Sequence, residues 1–370
     1  MQCATVAGTR GGGLRPNQDA FGVAFGVAHP ELLLTSVFDG HGPQGHFIAR
    51  HVRDRLPSWI AACYHTVDDP EMSPGRSAST HPAVPSWVLR AGATYSLNQE
   101  GQLSRVTAGG GLGAGVPSVA PEWAHAVSRA FIELDGDLCT CRSTLLSASR
   151  VSPEQSGTTA VSCLVGQGHL LVAGCGDSAA FLAVRARAPQ DAPDDAPAEH
   201  LAHRPRYHAR CMSVLHKPVG EEAVRMRLAG GRVAAHPGEE HIVRVWPREQ
   251  DVRAGSPAFG LAVARAFGDT HWKRAGVCAA PDITLHKLGP DDAFILLCSD
   301  GVTDVMTGRE AVSLAADALH EGGEPRNAAQ AVNAAAKAAW LRRFPRHGRD
   351  DITTAIVLLR AGEGVEGTPA

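Results

Sequence analysis

Three apolar runs, LLLTSVF, LLVAGC and FILLC, each stop within two residues of an aspartate that has a glycine beside it. The aspartates are Asp39 in VFDGHG, Asp177 in GCGDS and Asp300 in CSDGVTD. Apolar runs of this length, bounded by turn residues, are buried strands, which commits the chain to sheets. A carboxylate at the tip of such a strand is held rigidly at the rim of the core, and the neighbouring glycine lets backbone and ligand come close. One Asp-Gly tip is an ordinary turn. Several in one chain point to carboxylates converging on hard cations, which take oxygen ligands.

Around those runs, strands come in blocks and helices in blocks. Residues 21–27 and 32–38 read as a first strand pair. Residues 158–165, 169–175 and 179–185 read as a second block, joined by Gly-Gln-Gly and Gly-Asp-Ser. Connections that short predict antiparallel pairing of consecutive strands. Amphipathic spacing predicts a helix over 44–59 with Phe47, Ile48, Val52 and Leu56 inward, kinked or ended by Pro57. A second helix over 123–138 buries Trp123, Val127, Phe131, Leu134 and Leu138, and a short one over 221–229 stops at Gly230-Gly231. Strands over 283–288, 293–298 and 353–359 bracket two Ala-rich helices, the longer starting near Pro325. The pattern is an α+β layered fold with antiparallel sheets inside and helices outside. Segments 65–121 and 188–199, rich in Ser, Pro and Gly or in Pro and Asp, read as flexible insertions, and 247–257 as a surface loop.

With 370 residues, 44% of them hydrophobic and 20% charged, the chain can bury a large core, and length alone suggests about two domains. A net charge of -3 gives no electrostatic reason to expect nucleic acid or an anionic membrane as partner. No stretch approaches the roughly 18 consecutive apolar residues of a membrane span, and the start lacks a signal-peptide pattern. Nine cysteines are an odd number, no C-x-x-C pair exists, and Cys163, Cys175 and Cys298 fall in strands. A reducing intracellular compartment, cytoplasm or nucleus, is expected.

Asp39-Gly40-His41-Gly42 places a carboxylate, an accessible glycine carbonyl and an imidazole together at a strand end. Alone, that tetrapeptide reads more readily as a tight turn with a surface histidine. The functional alternative makes Asp39 a carboxylate shared by two metals and His41 a proton donor to a leaving group. Asp300 ends a strand, while Asp304, four residues later, is also explained as helix-start chemistry. Asp350-Asp351 opens the strand ITTAIVLL, and an antiparallel strand begins where its neighbours end, so Asp39, Asp300 and Asp350 can meet at one edge with Asp177 nearby. Oxygen donors without histidine or thiolate at ligand spacing select Mg²⁺ or Mn²⁺ over zinc. Two such ions about 3.5–4 Å apart suit phosphate-ester hydrolysis, whose uncatalysed rate is so low that enzymes accelerate it by up to about 10²¹-fold. No G-x-S-x-G elbow, P-loop or C-x5-R signature competes, and Gly11-Gly12-Gly13 follows no convincing strand.

Seven blocks in order, NQDAF, VFDGHGPQGH, SGTTAV, GDSAAFL, GLAVARAFGD, LLCSDGVTDVM and RDDITTAIVLL, resemble the metal-dependent type-2C serine/threonine protein phosphatases, most of all plant members. The resemblance covers nearly the whole chain outside the insertions. It implies a single domain over 1–362 with a short tail at 363–370, built as a four-layer α-β-β-α sandwich of two antiparallel sheets flanked by helix pairs. By matching motifs, Asp39 bridges two Mg²⁺ or Mn²⁺ ions, the Gly40 carbonyl ligates one of them, and Asp300 and Asp350 complete the ligand shell of the second ion. Asp350 is taken rather than Asp351 because related chains with two aspartates here use the first. Asp19 acts through a bound water, His41 protonates the leaving hydroxyl, and Asp177 and Asp304 match a weaker third metal position. The phosphate-gripping basic residue is displaced by one place to Arg15, Gln18 stands where many members carry glutamate, and Ala179 and Leu215 replace a usual arginine and acidic residue. The implied activity is hydrolysis of phosphoserine and phosphothreonine in protein substrates by direct attack of a metal-bridging hydroxide, carried out by a monomer. A catalytically silent scaffold and a phosphatase of small metabolites stay open as alternatives.

Overall fold

The computed structural model describes residues 2–6, 9–10, 13–14, 16–65, 94–97, 103–106, 120–140, 151–186, 206–236, 239–247, 260–345 and 348–359. Arg15, the tail and most of the segments read as insertions or as the 247–257 loop lie outside them. Two sheets face each other. The larger has the strand order Ala20–Phe25, Leu33–Phe38, Ala160–Gly166, His169–Cys175, Asp282–Lys287, Thr94–Leu97 and Leu103–Val106. The smaller runs Gln2–Val6, Ile352–Leu358, Asp292–Cys298, Ala179–Arg185 and Tyr207–Cys211. Pairing is antiparallel apart from Asp282–Lys287 against Thr94–Leu97, which is parallel.

The apolar runs are continuous because both faces of each central strand are covered. Along Ala160–Gly166, Val161 and Cys163 point between the sheets, while Ala160 and Leu164 point to the helices Gly45–His65 and Ala120–Cys139. Along Asp292–Cys298, Ile295 and Leu297 point between the sheets. Phe294, Leu296 and Cys298 meet the helices Gly308–His320 and Pro325–Arg343. Three stacked cores therefore separate four layers, helix pair, sheet, sheet and helix pair, as the period-2 pattern requires. A smaller fourth core gathers Met226, Val245, Leu261 and Trp272 under the hairpin Arg232–His236 and Glu239–Trp246.

Three expectations need correction. The first long helix does not end at Pro57 but runs through it to His65. Its buried stripe, Ile48, Val52, Leu56, Ile60 and Cys63, continues past the proline, and that burial outweighs one missing N–H bond. Phe47 is 42% exposed and stacks on His46 instead of facing the core. The strands either side of Gly-Asp-Ser do not pair, because His169–Cys175 belongs to the larger sheet and Ala179–Arg185 to the smaller. Gly176 makes that crossing possible, with a φ of 108° and a surface so close to Thr159 that a Cβ would lie 2.6 Å from its side chain. Gly176→Ala is expected to cost about 2–3 kcal/mol in urea denaturation, from left-handed backbone strain and overpacking together.

Candidate active site

The sheets leave their strand ends at a common edge. Asp39 follows Leu33–Phe38, Asp177 follows His169–Cys175, Asp300 follows Asp292–Cys298 by one residue, and Asp350 precedes Ile352–Leu358. Asp19 enters from the residue before Ala20–Phe25. One of its oxygens, Oδ2, accepts hydrogen bonds from Ser299 Oγ at 2.8 Å and Thr353 Oγ1 at 2.6 Å, both from the opposite sheet's strand ends. The other, Oδ1, is buried and has no hydrogen-bond partner among the described residues. Ser299 and Thr353 were not singled out from sequence, although both sit inside the matched blocks CSDG and DITT.

These carboxylates act on one another. Burial, then the charges of Asp300, Asp19 and Asp350, hold the Asp39 carboxyl well above the usual range. Burial, then Asp177, Asp350 and Asp304, does the same to Asp300, with Lys217 opposing. Burial pushes Asp19 up to about 7 against the hydrogen bond from Thr353, with Asp351 and Asp350 adding to the rise. So Asp19, Asp39, Asp300 and Asp350 lie within electrostatic reach of each other, with Asp177 and Asp304 beside Asp300. Lys217 donates to Asp177, an ion pair the sequence did not disclose. Asp351 is buried and accepts from the Gln18 backbone N–H at 3.0 Å, and its own N–H donates to Asp350 at 2.9 Å. Among the described residues, no three Asp, Glu, His or Cys side chains are drawn close enough to hold an ion as they stand.

Backbone fit is tight around the DGHG turn. A Cβ on Gly40 would lie 2.5 Å from the Gln18 carbonyl oxygen and 2.6 Å from that of Gly45, so only glycine fits there. Gln18 donates through Nε2 to the Gly42 carbonyl at 2.7 Å, which ties the NQD segment to this turn. His41 is half-buried, and its Nε2 lies 2.6 Å from Asp269 Oδ2. Burial works to lower the His41 imidazole, but Asp269, Asp177 and the Asp39 backbone raise it on balance. A cleft of about 570 Å³ opens beside Asp19, lined by Asn17, Phe21, Arg50, Arg53 and Pro57.

The chemistry of the donors suits a hard divalent cation. They are buried carboxylate oxygens whose repulsion an added cation would relieve, and one of them, Asp19 Oδ1, lacks a partner.

The family model described as Protein phosphatase 2C matches residues 121–340. Over 358 residues the chain is 31% identical to "Probable protein phosphatase 2C 38" of Oryza sativa subsp. japonica, a match spanning 96% of this chain and 67% of that protein. It is 30% identical to "Probable protein phosphatase 2C 14" of the same plant, spanning 94% of this chain but only 58% of that longer protein. The serine-threonine phosphatase 2C from Toxoplasma gondii superposes with a TM-score of 0.64 at 19% identity, covering 97% of this chain and 99% of that one. At that identity the likeness speaks for fold alone.

Proposed function

The chain belongs to the protein phosphatase 2C family, and from that premise we propose that it is a Mg²⁺- or Mn²⁺-dependent phosphatase of phosphoserine and phosphothreonine in proteins. The observation that carries this reading is the group of mutually repelling carboxylates, Asp19, Asp39, Asp300 and Asp350, gathered from both sheets with one buried oxygen unpartnered. Asp39, the Gly40 carbonyl, Asp300 and Asp350 would hold the paired ions, Asp19 would act through water, and Asp177 and Asp304 would serve a weaker third position. When bound, such a pair supplies charge neutralisation of phosphoryl oxygens and a bridging water acidic enough to attack phosphorus directly.

The chain's own residues do the rest. Ser299 and Thr353 fix Asp19 Oδ2, and among the described residues Oδ1 has no hydrogen-bond partner. His41 stands ready to give a proton to the departing serine or threonine oxygen. Arg15 remains the proposed phosphate grip. The cleft beside Asp19, with Arg50 and Arg53 on its wall, gives room for an extended phosphopeptide. Gln18, engaged with Gly42, serves as a brace in place of an acidic ligand, so its neutrality does not argue for a silent scaffold.

The test is phosphate release from a phosphothreonine peptide with and without Mn²⁺, run beside sugar phosphates. Metal-dependent turnover favouring the peptide is expected. Absence of metal-dependent turnover, or preference for the sugar phosphates, would overturn the reading.

A further inference from the structure

Asp269 is buried in an unusual way. Of the three described non-glycine residues with positive φ, Ala28, Gln167 and Asp269, it alone is fully buried, at φ 50° and ψ 47°. It follows Gly268, also left-handed at φ 75°. Among the described residues its carboxylate has one hydrogen-bond partner, His41 Nε2, and Oδ1 has none. A carboxylate kept only for stability would be expected to satisfy both oxygens. Backbone held in a sparsely populated region at full burial is found where position matters to function.

The surrounding structure is arranged to bring the two side chains together. A three-stranded ribbon sets Gly157 between His41 on one side and Gly268 on the other. A Cβ on Gly157 would lie 2.2 Å from Asp269 Oδ2, so the missing side chain is the space through which the carboxylate reaches the imidazole. The bend is pinned from outside. Asp135 accepts from the Gly268 N–H at 2.8 Å and from Lys273 Nζ at 2.6 Å, while Asp269 N–H donates to Ser156 O at 3.0 Å.

We propose that Asp269 is a positioning residue, which keeps a proton on His41 Nε2 and so leaves Nδ1 to serve the leaving oxygen of the phosphorylated side chain. The inference rests on the phosphatase reading. In the step it supports, the oxygen of a water molecule bonds to phosphorus as the ester P–O bond breaks. The bonding pair goes to the serine or threonine oxygen, which takes the Nδ1 proton. The attacking water releases a proton to solvent, and the imidazole regains one from solvent, keeping Nε2–H on Asp269 throughout.

Two substrates and a double-mutant cycle test this. A phosphothreonine peptide needs its leaving oxygen protonated, whereas p-nitrophenyl phosphate expels a stable anion. Asp269→Asn, a near-isosteric change that also tolerates left-handed backbone, is expected to lower kcat on the peptide by about 100-fold. The loss on p-nitrophenyl phosphate should be at least ten-fold smaller. Because Asp269 works through His41, adding Asp269→Asn to His41→Gln should lower peptide turnover little further. Equal losses on both substrates, or multiplicative losses in the double variant, would make Asp269 a structural residue and overturn the proposal. ¹⁵N-histidine spectra of the metal-free protein give a readout that does not depend on turnover. They should show His41 protonated at Nε2 in the wild type and a changed tautomer balance in Asp269→Asn. An unprotonated Nε2 in the wild type would sink the positioning role even if the phosphatase reading holds. A wild type without metal-dependent turnover would sink the phosphatase reading, and with it the catalytic part of this one, even with Nε2 protonated.

Discussion

Replacing Asp300 by asparagine is expected to abolish metal-dependent turnover while making the metal-free protein more stable. The two effects share one cause. Asp300 is a carboxylate pushed well above its usual range by burial and by Asp177, Asp350 and Asp304. Removing its charge relieves that repulsion when no cation is present, and removes a donor when one is. Loss of about 4 kcal/mol of transition-state stabilisation, the scale of metal-ion assistance, is close to a thousand-fold in rate. Asp39→Asn should behave alike, since Asp39 is raised by the same neighbours. The sign of the pH dependence follows from linkage. Carboxylates with raised folded-state pKa values bind more protons folded than unfolded, so the stability they allow is full below the ordinary 3.8 and is lost as pH rises through the folded value, about 7 for Asp19. In EDTA the wild type should therefore lose thermal stability as pH rises across this window, and Asp300→Asn should flatten the slope. Near-normal turnover in either variant, or an unchanged slope in Asp300→Asn, would count against the site.

The layers were legible because the central strands are covered on both faces. Val161 and Cys163 on one side and Ala160 and Leu164 on the other leave Ser162 as the one polar position in that run, and its hydroxyl meets that of Ser36 at 2.8 Å. The helix pairs were legible from stripes such as Trp123 to Leu138 for the same reason. What escaped notice depends on direction in space. Gly-Asp-Ser has the composition of a hairpin turn, and only contact with Thr159 shows that Gly176 turns the chain from one sheet to the other. The strand Gln2–Val6 also escaped, an edge strand identified by its pairing with Ile352–Leu358. In the site, the acidic residues could be read from their strand tips, but their supports could not. Ser299 and Thr353 are ordinary hydroxyls until Asp19 crosses from the other sheet to meet them. Asp269 and Lys217 each gain their meaning from a partner more than 30 residues away, His41 and Asp177 respectively. The nearest sequence signal was an acidic residue after glycine in AFGD and a lone lysine in HKP, neither specific without the contact.

Arg265→Met is expected to destabilise the protein by about 3–5 kcal/mol. The guanidinium is buried and makes four hydrogen bonds. It donates to Asp282 Oδ1 at 2.8 Å, to the Ala280 carbonyl at 2.9 Å, and twice to Glu222 Oε1 at 2.9 and 2.6 Å. Asp282 in turn holds His216 Nε2 at 3.1 Å, whose Nδ1 accepts from the Gly176 N–H at 3.2 Å. With Nδ1 accepting, His216 is neutral and donates from Nε2 to Asp282, and burial, then Arg265, lower its pKa in the same direction. Methionine preserves much of the volume but takes away the cation between two buried carboxylates, Glu222, which keeps Arg225, and Asp282, which keeps the neutral His216. The chain from Arg265 reaches Gly176 and, through the neighbouring Lys217, Asp177, so the GDS corner should loosen with it. The pH signature is opposite to that of Asp19, Asp39 and Asp300. Burial would raise Glu222, but Arg265 and Arg225 bring it below 4.5 on balance, so its stabilisation is present above that value and lost as pH falls through the depressed one. Arg265→Met should erase this acid-side loss. In urea denaturation, the gap between wild type and variant should be largest near pH 7 and narrow below about pH 4. A second change, Asp282→Asn in the Arg265→Met background, should recover part of the midpoint by removing a buried charge that has lost its cation. If the double variant were less stable than Arg265→Met alone, the guanidinium would be acting through packing instead of charge.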